Sequence, residues 1–331
     1  MPRSVFRKAF KDLERSHQIE YIDMDGAAAF APATESELRL REYFGSPDQV
    51  ARCMDGVEVL AVHGAPVTDD VLDASDVLRL VCCARGGPLN IDVEAVRSRG
   101  VPLINTPGKN AEAVADLTIA FLVMLARGIP KAMRFLGEGG QLGSNWQGSQ
   151  FMGNDLRGHT LGLIGYGQVG RRVAARATAF GMQPLVYDPY VEVTEVEQAN
   201  DLEELLGVSG FVSVHARATD DNGHLLDERA LSVMRPGAFL VNTARATLVD
   251  QDALDAALAS GHLGGAALDV FAHGPAGEPS PLLRHPNVVL TPHIGGATSE
   301  TLMQGGLMIA QEIERFAADR PLYHVVNTPV S

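Results

Sequence analysis

The sequence predicts an α/β fold with two domains, the larger built on a doubly wound parallel sheet. Short apolar runs alternate with helical segments along most of the chain, as they do in βα units. A glycine-rich turn directly follows one of those runs. The 331 residues also exceed what a single hydrophobic core usually supports, which favours two domains of ordinary size.

Three apolar runs near the N-terminus predict the strands of a small α/β domain. A cluster of Gly, Asn, Asp or Pro follows each run, at residues 57–62, 78–83 and 101–104. A long connecting helix is expected next, at 110–127. Asn110 is a suitable N-cap for this helix, and Gly128 and Pro130 are stop signals.

Six further apolar runs predict the strands of the larger sheet, at 160–164, 184–187, 211–215, 238–242, 264–268 and 287–290. Helical segments separate most of these runs, so the strands should run parallel with helices on both faces. Residues 299–318 are helical again, and we expect them to pack back onto the first domain.

Composition narrows the class of partner and the location. The net charge is −14 and the basic residues form no run or stripe, which argues against nucleic acid and anionic membranes and favours a small molecule. The N-terminus lacks the apolar core of a signal peptide, and the longest apolar stretch, 117–126, is too short to span a bilayer. Cys53, Cys82 and Cys83 lack metal-ligand spacing, so we expect free thiols, no metal and a cytoplasmic location.

The glycine-rich turn predicts a dinucleotide site of the Rossmann type. It follows the run 160–164 and opens a helix, which is the context that the G-x-G-x-x-G spacing requires. Phosphates would lie against the helix N-terminus, where free N–H groups and the helix dipole favour anions. The expected cofactor-binding residues of the turn are Gly165, Tyr166, Gly167, Gln168, Val169 and Gly170.

Asp188 ends the next predicted strand, 18 residues beyond Gly170. This spacing places a carboxylate where the adenosine ribose hydroxyls would lie, and its charge would repel a 2′-phosphate. NAD is therefore the expected cofactor. Arg171 and Arg172 lie nearby and leave NADP open.

Arg245 and His293 are the candidate catalytic residues. Each follows a predicted strand, and open α/β sheets bind ligands at the carboxyl ends of their strands. An Arg can hold a carboxylate with two parallel hydrogen bonds, and a His exchanges protons near neutral pH. The pair suits hydride transfer to and from a hydroxy acid.

Several motifs in a fixed order carry a family resemblance. The main motifs cover 240–245, 265–271 and 286–296, and shorter ones cover 105–107, 111–115 and 158–162. Together they resemble the D-isomer-specific 2-hydroxyacid dehydrogenase family, of the phosphoglycerate dehydrogenase-like kind, from about residue 57 to the C-terminus. The resemblance implies an NAD-dependent oxidoreductase that interconverts a D-2-hydroxy acid and its 2-keto acid.

The same resemblance implies a domain plan. A flavodoxin-like α/β substrate domain, residues 1–109 and 297–331, would flank an inserted Rossmann NAD-binding domain, residues 110–296. It also implies a homodimer and a cleft that closes on the substrate.

Residue roles follow from the resemblance position by position. Arg245 would bind and polarise the substrate, His293 would be the acid/base, and Asp269 would contact the cofactor near the nicotinamide. Gly86 and Gly87 would offer N–H groups to the substrate carboxylate. The remaining residues of the cofactor channel would be His215, Thr243, Ala244 and Gly295.

The chain departs from the family pattern at one position, where a Glu is expected. The carboxylate of that Glu would orient His293 and favour its protonated form. The matching position is Gly274, and a Glu-Pro pair, Glu278-Pro279, follows four residues later. Glu278 either supplies the carboxylate from a shifted loop or is an ordinary loop residue.

Arg85 and Arg217 are further departures. Arg85 adds a cation to the substrate loop, where it could bind a second anionic or polyhydroxylated group or form an ion pair at the domain hinge. Arg217 stands where the family commonly has Pro, and its role is open.

A second hypothesis belongs to a different class of function. The missing Glu at position 274 would also suit an NAD(H)-sensing, catalytically weak protein similar to the corepressors related to this family. Arg245 and His293 favour the enzyme instead.

Overall fold

A computed structural model describes residues 3–24, 32–141, 148–219, 221–272 and 279–326. The chain separates into two compact units. The split unit comprises Met1–Lys109 and Ala297–Ser331, and the central unit comprises Asn110–Gly296.

The split unit has a parallel three-stranded sheet. Its strands are β1 (Val59–Val62), β2 (Leu80–Cys83) and β3 (Leu103–Ile104), paired in chain order. Each predicted run therefore contains a strand that starts two residues later than the run itself. Neighbouring strands in chain order also form part of the flavodoxin strand order 2-1-3-4-5. Helices of this part are α1 (Arg3–Ala9), α2 (Glu35–Arg39), α3 (Pro47–Ala51), α4 (Asp69–Asp73) and α5 (Val93–Ser98), with a 3-10 turn at Leu13–Arg15.

The central unit has a parallel sheet of seven strands. They are β4 (Thr160–Ile164), β5 (Gln183–Tyr187), β6 (Glu197–Gln198), β7 (Phe211–Val214), β8 (Phe239–Asn242), β9 (Gly265–Leu268) and β10 (Val288–Leu290). Their spatial order is β10-β9-β8-β7-β4-β5-β6. Counted from β4, this is the Rossmann order 3-2-1-4-5-6 with one added strand, which confirms the predicted doubly wound sheet. The two-residue strand β6 was not predicted.

Helices cover both faces of the central sheet. They are α6 (Ala111–Ala126), α7 (Ile129–Gly137), α8 (Gln168–Ala179), α9 (Leu202–Val208), α10 (Glu228–Val233) and α11 (Gln251–Ala259), with 3-10 turns at Gly148–Phe151, Ala246–Leu248 and Pro281–Arg284.

Alternate strand residues face opposite cores, because successive side chains of a strand point to opposite faces. Leu161 and Leu163 pack with α6 and α8, whereas Ile164 packs with α9, α10 and α11. Burial on both faces explains why these strands are continuous apolar runs in the sequence.

The connecting helix has the predicted bounds, with two differences in detail. Asn110 occupies the N-cap position, but its side chain makes no cap hydrogen bond. Gly128 adopts a left-handed conformation with φ 61° and ends α6, and Pro130 then lies in the first turn of α7. Pro130 therefore begins a second helix, because its missing N–H needs no partner in a first turn.

No single helix in the described part of the chain is long and apolar enough to cross a membrane. Helices α6 and α7 pass that test only as a pair, across a bend of 69°.

The C-terminal helix α12 (Ser299–Ala317) returns to the split unit. Ile309 and Ala310 pack with Phe10 and with Leu80 of β2 in one buried cluster. The chain then covers the free edge of β3, where Val326 N–H donates to Leu103 O at 2.8 Å.

Candidate active site

Every strand of the central sheet except the short β6 is followed within three residues by a residue that the sequence singled out. All strands are parallel, so these ends share one edge of the sheet. The residues that follow the strand ends are Gly165, Asp188, His215, Thr243, Arg245, Asp269 and His293.

Two of the three motif glycines are required by the protein's own backbone. Gly165 has φ +95°, and a Cβ there would lie 2.7 Å from Ala216 N, on the loop after β7. A Cβ on Gly170 would clash with Gly165 O. These contacts hold α8 close to β4 at the point where the strand order reverses, which is where such sheets bind dinucleotides.

Gly167 has a different role from its two neighbours. It is exposed, its φ of −79° suits any residue, and a Cβ there would meet no atom within 4 Å among those placed. It is also the N-cap of α8, whose first turn has N–H groups without acceptors inside the helix. A Cβ would thus fill only the space in front of the helix N-terminus. The site therefore fits the pyrophosphate of a dinucleotide.

Asp188 binds the glycine turn directly. One carboxylate oxygen accepts from Tyr166 N–H at 2.8 Å, and the other accepts from Tyr190 N–H at 2.9 Å. The Tyr166 side chain is only 4% exposed and packs in the core with Val169. Tyr166 and Val169 thus shape the turn, whereas Gly167 and Gln168 are its exposed residues.

The two arginines that left NADP open are engaged elsewhere. Arg171 pairs with Glu195 at 2.7 Å and lies over the Tyr166 ring, 4.6 Å from its centroid. Arg172 pairs with Glu112 at 2.5 Å. Neither guanidinium is therefore available without breaking an ion pair, and the Asp188 carboxylate dominates this part of the site.

Asn242 organises the loop that carries Arg245. Its side chain is 1% exposed, its Nδ2 donates to Arg245 O at 2.9 Å, and its Oδ1 accepts from Ala244 N–H at 3.0 Å. The Thr243 hydroxyl lies 3.2 Å from that of Thr118 on α6. The Arg245 side chain itself is exposed and donates to Ala244 O at 2.7 Å. A buried amide thus holds an exposed cation at the strand end.

Asp269 organises the turn after β10 in the same way. It is 2% exposed and accepts from Thr291 Oγ1 at 2.5 Å, Ile294 N–H at 2.8 Å and Gly295 N–H at 2.7 Å. A buried carboxylate with three donors is well compensated. The Asp269 side chain therefore fixes the residues on both sides of His293.

His293 has a left-handed backbone with φ 56°. This conformation is uncommon for residues other than glycine, although His adopts it more often than most. Its N–H donates to Asp269 O at 3.0 Å and to Thr291 O at 2.9 Å. The ring is exposed, and within the described ranges no side chain is hydrogen-bonded to it. The strained turn thus presents the imidazole to solvent.

His215 lies at the reversal point of the strand order. One ring nitrogen is 2.9 Å from Ser213 Oγ, and burial lowers the pKa of His215 to about 3. The imidazole is therefore neutral at physiological pH and adds no charge beside the turn.

The predicted substrate loop belongs to the split unit. Arg85 pairs with the Glu42 carboxylate, so its ion pair lies inside this unit. Asn105 Nδ2 donates to Gly86 O at 2.7 Å, and a Cβ on Gly87 would meet nothing within 4 Å.

Three other predicted positions add little to the geometry. Glu278 and Gly274 lie outside the described residues. Arg217 O accepts from Asn222 Nδ2 at 2.8 Å, and this contact assigns no role to the Arg217 guanidinium.

Sequence reasoning assigned no role to Asn242 or Thr291, although both stand at strand ends inside motifs that it used. A polar residue at the end of a buried strand is the signal that could have identified them. Such a group must be hydrogen-bonded, and here its partners are the site loops.

Comparisons with known proteins agree on one family. Residues 119–295 match the family model described as D-isomer specific 2-hydroxyacid dehydrogenase, NAD binding domain. The chain is 35% identical to D-3-phosphoglycerate dehydrogenase of Methanocaldococcus jannaschii over 312 residues, which is 90% of this chain but 58% of that protein. It is also 35% identical to hydroxypyruvate reductase of Thermotoga maritima over 294 residues, 88% of this chain and 94% of that one.

A solved structure is similar over nearly the whole chain. The TT0316 protein from Thermus thermophilus superposes with a TM-score of 0.77 at 33% identity, covering 96% of both chains.

Gly167→Ala should weaken NADH binding without unfolding the protein. The new methyl group would occupy the space left for pyrophosphate, so we expect the Kd for NADH to rise by at least about tenfold, or about 1.4 kcal/mol. The free energy of unfolding should fall by less than about 1 kcal/mol. The added methyl group meets no described protein atom, so the expected cost is that of replacing glycine with alanine, which is a poorer N-cap. Calorimetric titration and thermal unfolding measure both quantities.

The matched variant for this experiment is Gly170→Ala, which places a Cβ against Gly165 O and should lower the melting temperature. Unaltered NADH affinity in Gly167→Ala would contradict the assignment of the turn.

Asp188→Asn should reduce discrimination against NADPH. Asparagine keeps an acceptor for Tyr166 N–H but removes the charge that repels a 2′-phosphate. We expect the ratio of Kd values, NADPH over NADH, to fall by at least about tenfold, measured by fluorescence titration. Glu192→Gln removes an exposed charge a few residues away and should leave the ratio unchanged. Equal ratios in the wild type and Asp188→Asn would overturn this role.

Proposed function

Because the chain belongs to the D-isomer specific 2-hydroxyacid dehydrogenase family, we propose that it interconverts a D-2-hydroxy acid and its 2-keto acid with NAD as cofactor. The observation that carries the proposal is the shared edge of the central sheet. It combines a dinucleotide turn with Arg245 and His293, which follow β8 and β10.

Arg245 is the proposed substrate-binding residue. Its exposed guanidinium offers a fork of donors that matches a carboxylate, and an adjacent N–H can polarise the 2-keto oxygen. The loop that carries it is held by the buried Asn242 amide, so the cation is placed before substrate arrives.

His293 is the proposed acid/base. Bound NAD supplies the hydride acceptor or donor. In the direction of reduction, the His293 imidazolium donates a proton to the keto oxygen, and in the direction of oxidation the neutral ring accepts the hydroxyl proton. The Asp269 carboxylate holds the turn on both sides of His293, which keeps the ring at the edge of the sheet.

The other predicted contacts belong to the same proposal. The cofactor would be lined by Gly167, Gln168, Asp188, His215 and Gly295. Thr243, Ala244 and Asp269 would complete the channel. Gly86 and Gly87 would donate N–H groups to the substrate carboxylate, and both have space around them.

Enzyme names among the relatives favour catalysis over sensing. The two similar curated proteins are a dehydrogenase and a reductase, which gives the NAD(H)-sensing hypothesis no support. We also propose a homodimer in the cytoplasm, on the family resemblance and on three free cysteines, of which Cys82 and Cys83 are buried. Sedimentation analysis would test the oligomeric state.

The activity is tested by the loss of NADH absorbance when the protein is mixed with NADH and a panel of 2-keto acids. Oxidation with at least one acid is expected. Tight NADH binding without turnover on any acid would contradict the proposed activity. It would favour the NAD(H)-sensing hypothesis instead.

His293→Asn should abolish most of the turnover without disturbing the turn. Asparagine tolerates the left-handed conformation at this position but cannot exchange the proton. We expect kcat to fall by about 10²-fold to 10⁴-fold, with the Kd for NADH within about twofold of the wild type. The control His17→Asn changes an exposed His of the split unit and should keep kcat. Full activity in His293→Asn would exclude this His as the acid/base.

Glu278→Ala distinguishes the two alignments of the departing loop. If Glu278 orients the acid/base, its carboxylate favours the protonated imidazole, and removal makes that proton easier to lose. In the direction of reduction, activity requires the protonated ring, so the decline of kcat with rising pH should move to lower pH. Glu138→Ala, an exposed carboxylate at the end of α7, should leave the pH–rate profile unchanged. A pH–rate profile of Glu278→Ala identical to that of the wild type would show that Glu278 takes no part in the mechanism.

A further inference from the structure

The first residue of helix α8 is hydrogen-bonded to a side chain one turn further along the same helix. Gln168 follows Gly167 directly, and its side chain is exposed. The Arg172 guanidinium donates from Nη1 to both oxygens of Gln168, at 2.8 Å to the backbone O and at 2.8 Å to the side-chain Oε1. An exposed residue of the dinucleotide turn is therefore held by a residue outside that turn.

This contact determines which end of the Gln168 amide is free. An arginine side chain has only donors, so the group that it approaches must be the amide oxygen. The Nε2 group is then turned away from Arg172, and within the described ranges its two N–H groups have no acceptor. Gln168 thus keeps two free donors at the N-terminus of α8, where free backbone N–H groups and the helix dipole already favour an anion.

Helix α6 in turn holds Arg172. Arg172 Nε donates to Glu112 Oε1 at 2.5 Å, so the guanidinium bridges Glu112 and Gln168. Glu112 lies in the first turn of α6, and both helices belong to the central unit. Hydrogen bonds from Arg176 and Arg172 lower the pKa of Glu112, so its carboxylate is ionised at physiological pH. Glu112, Arg172 and Gln168 therefore form a relay, in which a residue of one helix sets the orientation of an amide on another.

Folding stability does not account for this relay. The Arg172 side chain is 33% exposed and that of Glu112 is 65% exposed. Ion pairs with such exposure contribute little to stability, because water screens both charges and two long side chains lose conformational freedom. The orientation of an exposed amide requires only that one geometry is preferred, and the relay supplies that preference.

Arg176 offers a comparison on the same helix. It donates to the other oxygen of Glu112 at 2.6 Å and to Asp116 at 2.7 Å, and its side chain is 29% exposed. Its Nη1 donates to Arg172 O at 3.2 Å, and among the described contacts it has no hydrogen bond with Gln168. The two arginines thus share a carboxylate, a helix and a similar exposure. They differ in the contact with the dinucleotide turn.

We propose that Arg172 and Glu112 are positioning residues for the cofactor, which orient the Gln168 amide so that its N–H groups are offered to the pyrophosphate of NAD. The inference rests on the cofactor of the proposed function, and it adds two residues that act through Gln168. An amide oriented beforehand loses less conformational freedom on binding than a free one. Without Arg172 the amide would be free to present its oxygen, which repels phosphate oxygens.

Titration of the intact protein with three ligands separates the pyrophosphate from the rest of the cofactor. NADH binding is followed by fluorescence, and ADP-ribose and adenosine are measured by competition with NADH. Gln168→Met removes the amide at similar length, and the Kd values for NADH and ADP-ribose should rise by about tenfold. Arg172→Met leaves the donors but not their orientation, so both Kd values should rise by about fivefold. Adenosine has no phosphate, and its Kd should stay within about twofold of the wild type in both variants.

Arg176→Met is the matched control. It removes the same charge and a bond to the same carboxylate without touching Gln168, so the Kd for NADH should stay within about twofold of the wild type. The double variant Gln168→Met/Arg172→Met then distinguishes orientation from direct attraction. If Arg172 acts through Gln168, the double variant should bind NADH no more weakly than Gln168→Met alone. If Arg172 attracted the cofactor by its own charge, the two losses would add.

Glu112→Gln is the second variant should Arg172→Met fail to fold, which thermal unfolding would reveal. Glutamine has one amide oxygen in place of two carboxylate oxygens, so it cannot accept from both arginines as Glu112 does. The Kd for NADH should rise by about threefold, and by nothing further in the Gln168→Met background.

Three outcomes would overturn the proposal: equal losses in Arg172→Met and Arg176→Met, additive losses in the double variant, or an equal loss of adenosine affinity. Normal NADH affinity that Gln168→Met leaves unchanged would refute the relay alone. The predicted Kd changes without turnover on any 2-keto acid would refute the proposed activity alone.

Discussion

Seven strands of the central unit run in one direction, and hydrogen bonding between neighbours fixes that direction for all of them. Helices must cross over each face to connect parallel strands, which buries both faces and leaves the strand ends as the accessible part of the sheet. The candidate cofactor-binding and catalytic residues of this unit therefore lie at the carboxyl edge of the sheet. The glycine turn, Asp188, Arg245 and His293 lie along one edge of the sheet for this reason, although 128 positions separate Gly165 from His293.

Buried polar residues hold exposed reactive ones at that edge. Asn242 is almost fully buried and bonds to the loop of Arg245, and Asp269 is almost fully buried and bonds to the turn of His293. A buried polar group without partners would destabilise the fold, so each fixes the loop that satisfies it. The left-handed conformation of His293 persists because Asp269 restrains the turn from both its backbone and its side chain. Stability and preorganisation of the site thus depend on the same hydrogen bonds.

Most of the arginines near the candidate site are paired with acidic groups, and this pairing decides which charges face a ligand. Arg171, Arg172 and Arg176 along α8 are paired with acidic groups, which leaves Asp188 as the charge next to the glycine turn. In the split unit, Arg85 is paired in the same way, while Lys109 is held by a carbonyl and by the space above Gly305. Exposed ion pairs contribute little to stability, but they remove cations from competition for an anionic ligand.

The sequence alone is enough to predict the α/β class, the doubly wound sheet and the position of the dinucleotide turn. Apolar runs of strand length, helical segments and glycine spacing are local properties, and parallel connection follows from them through short crossovers. The same reasoning located Asp188, Arg245 and His293, since each lies within three residues of the end of a run. Strand starts were placed up to two residues early, because apolar character extends past the hydrogen-bonded ladder.

Which residues those positions contact is visible only in the folded protein. The local sequence of Asn110 suits a cap that its side chain does not make. Nothing local distinguishes Gly167 from Gly165 and Gly170, because the difference depends on backbone brought from the loop after β7 and from the turn itself. Asp269 finds its partners more than 20 residues away, and Lys109 lies against a helix almost 200 residues further along the chain. Such pairings depend on packing between distant segments, which residue spacing within one segment does not encode.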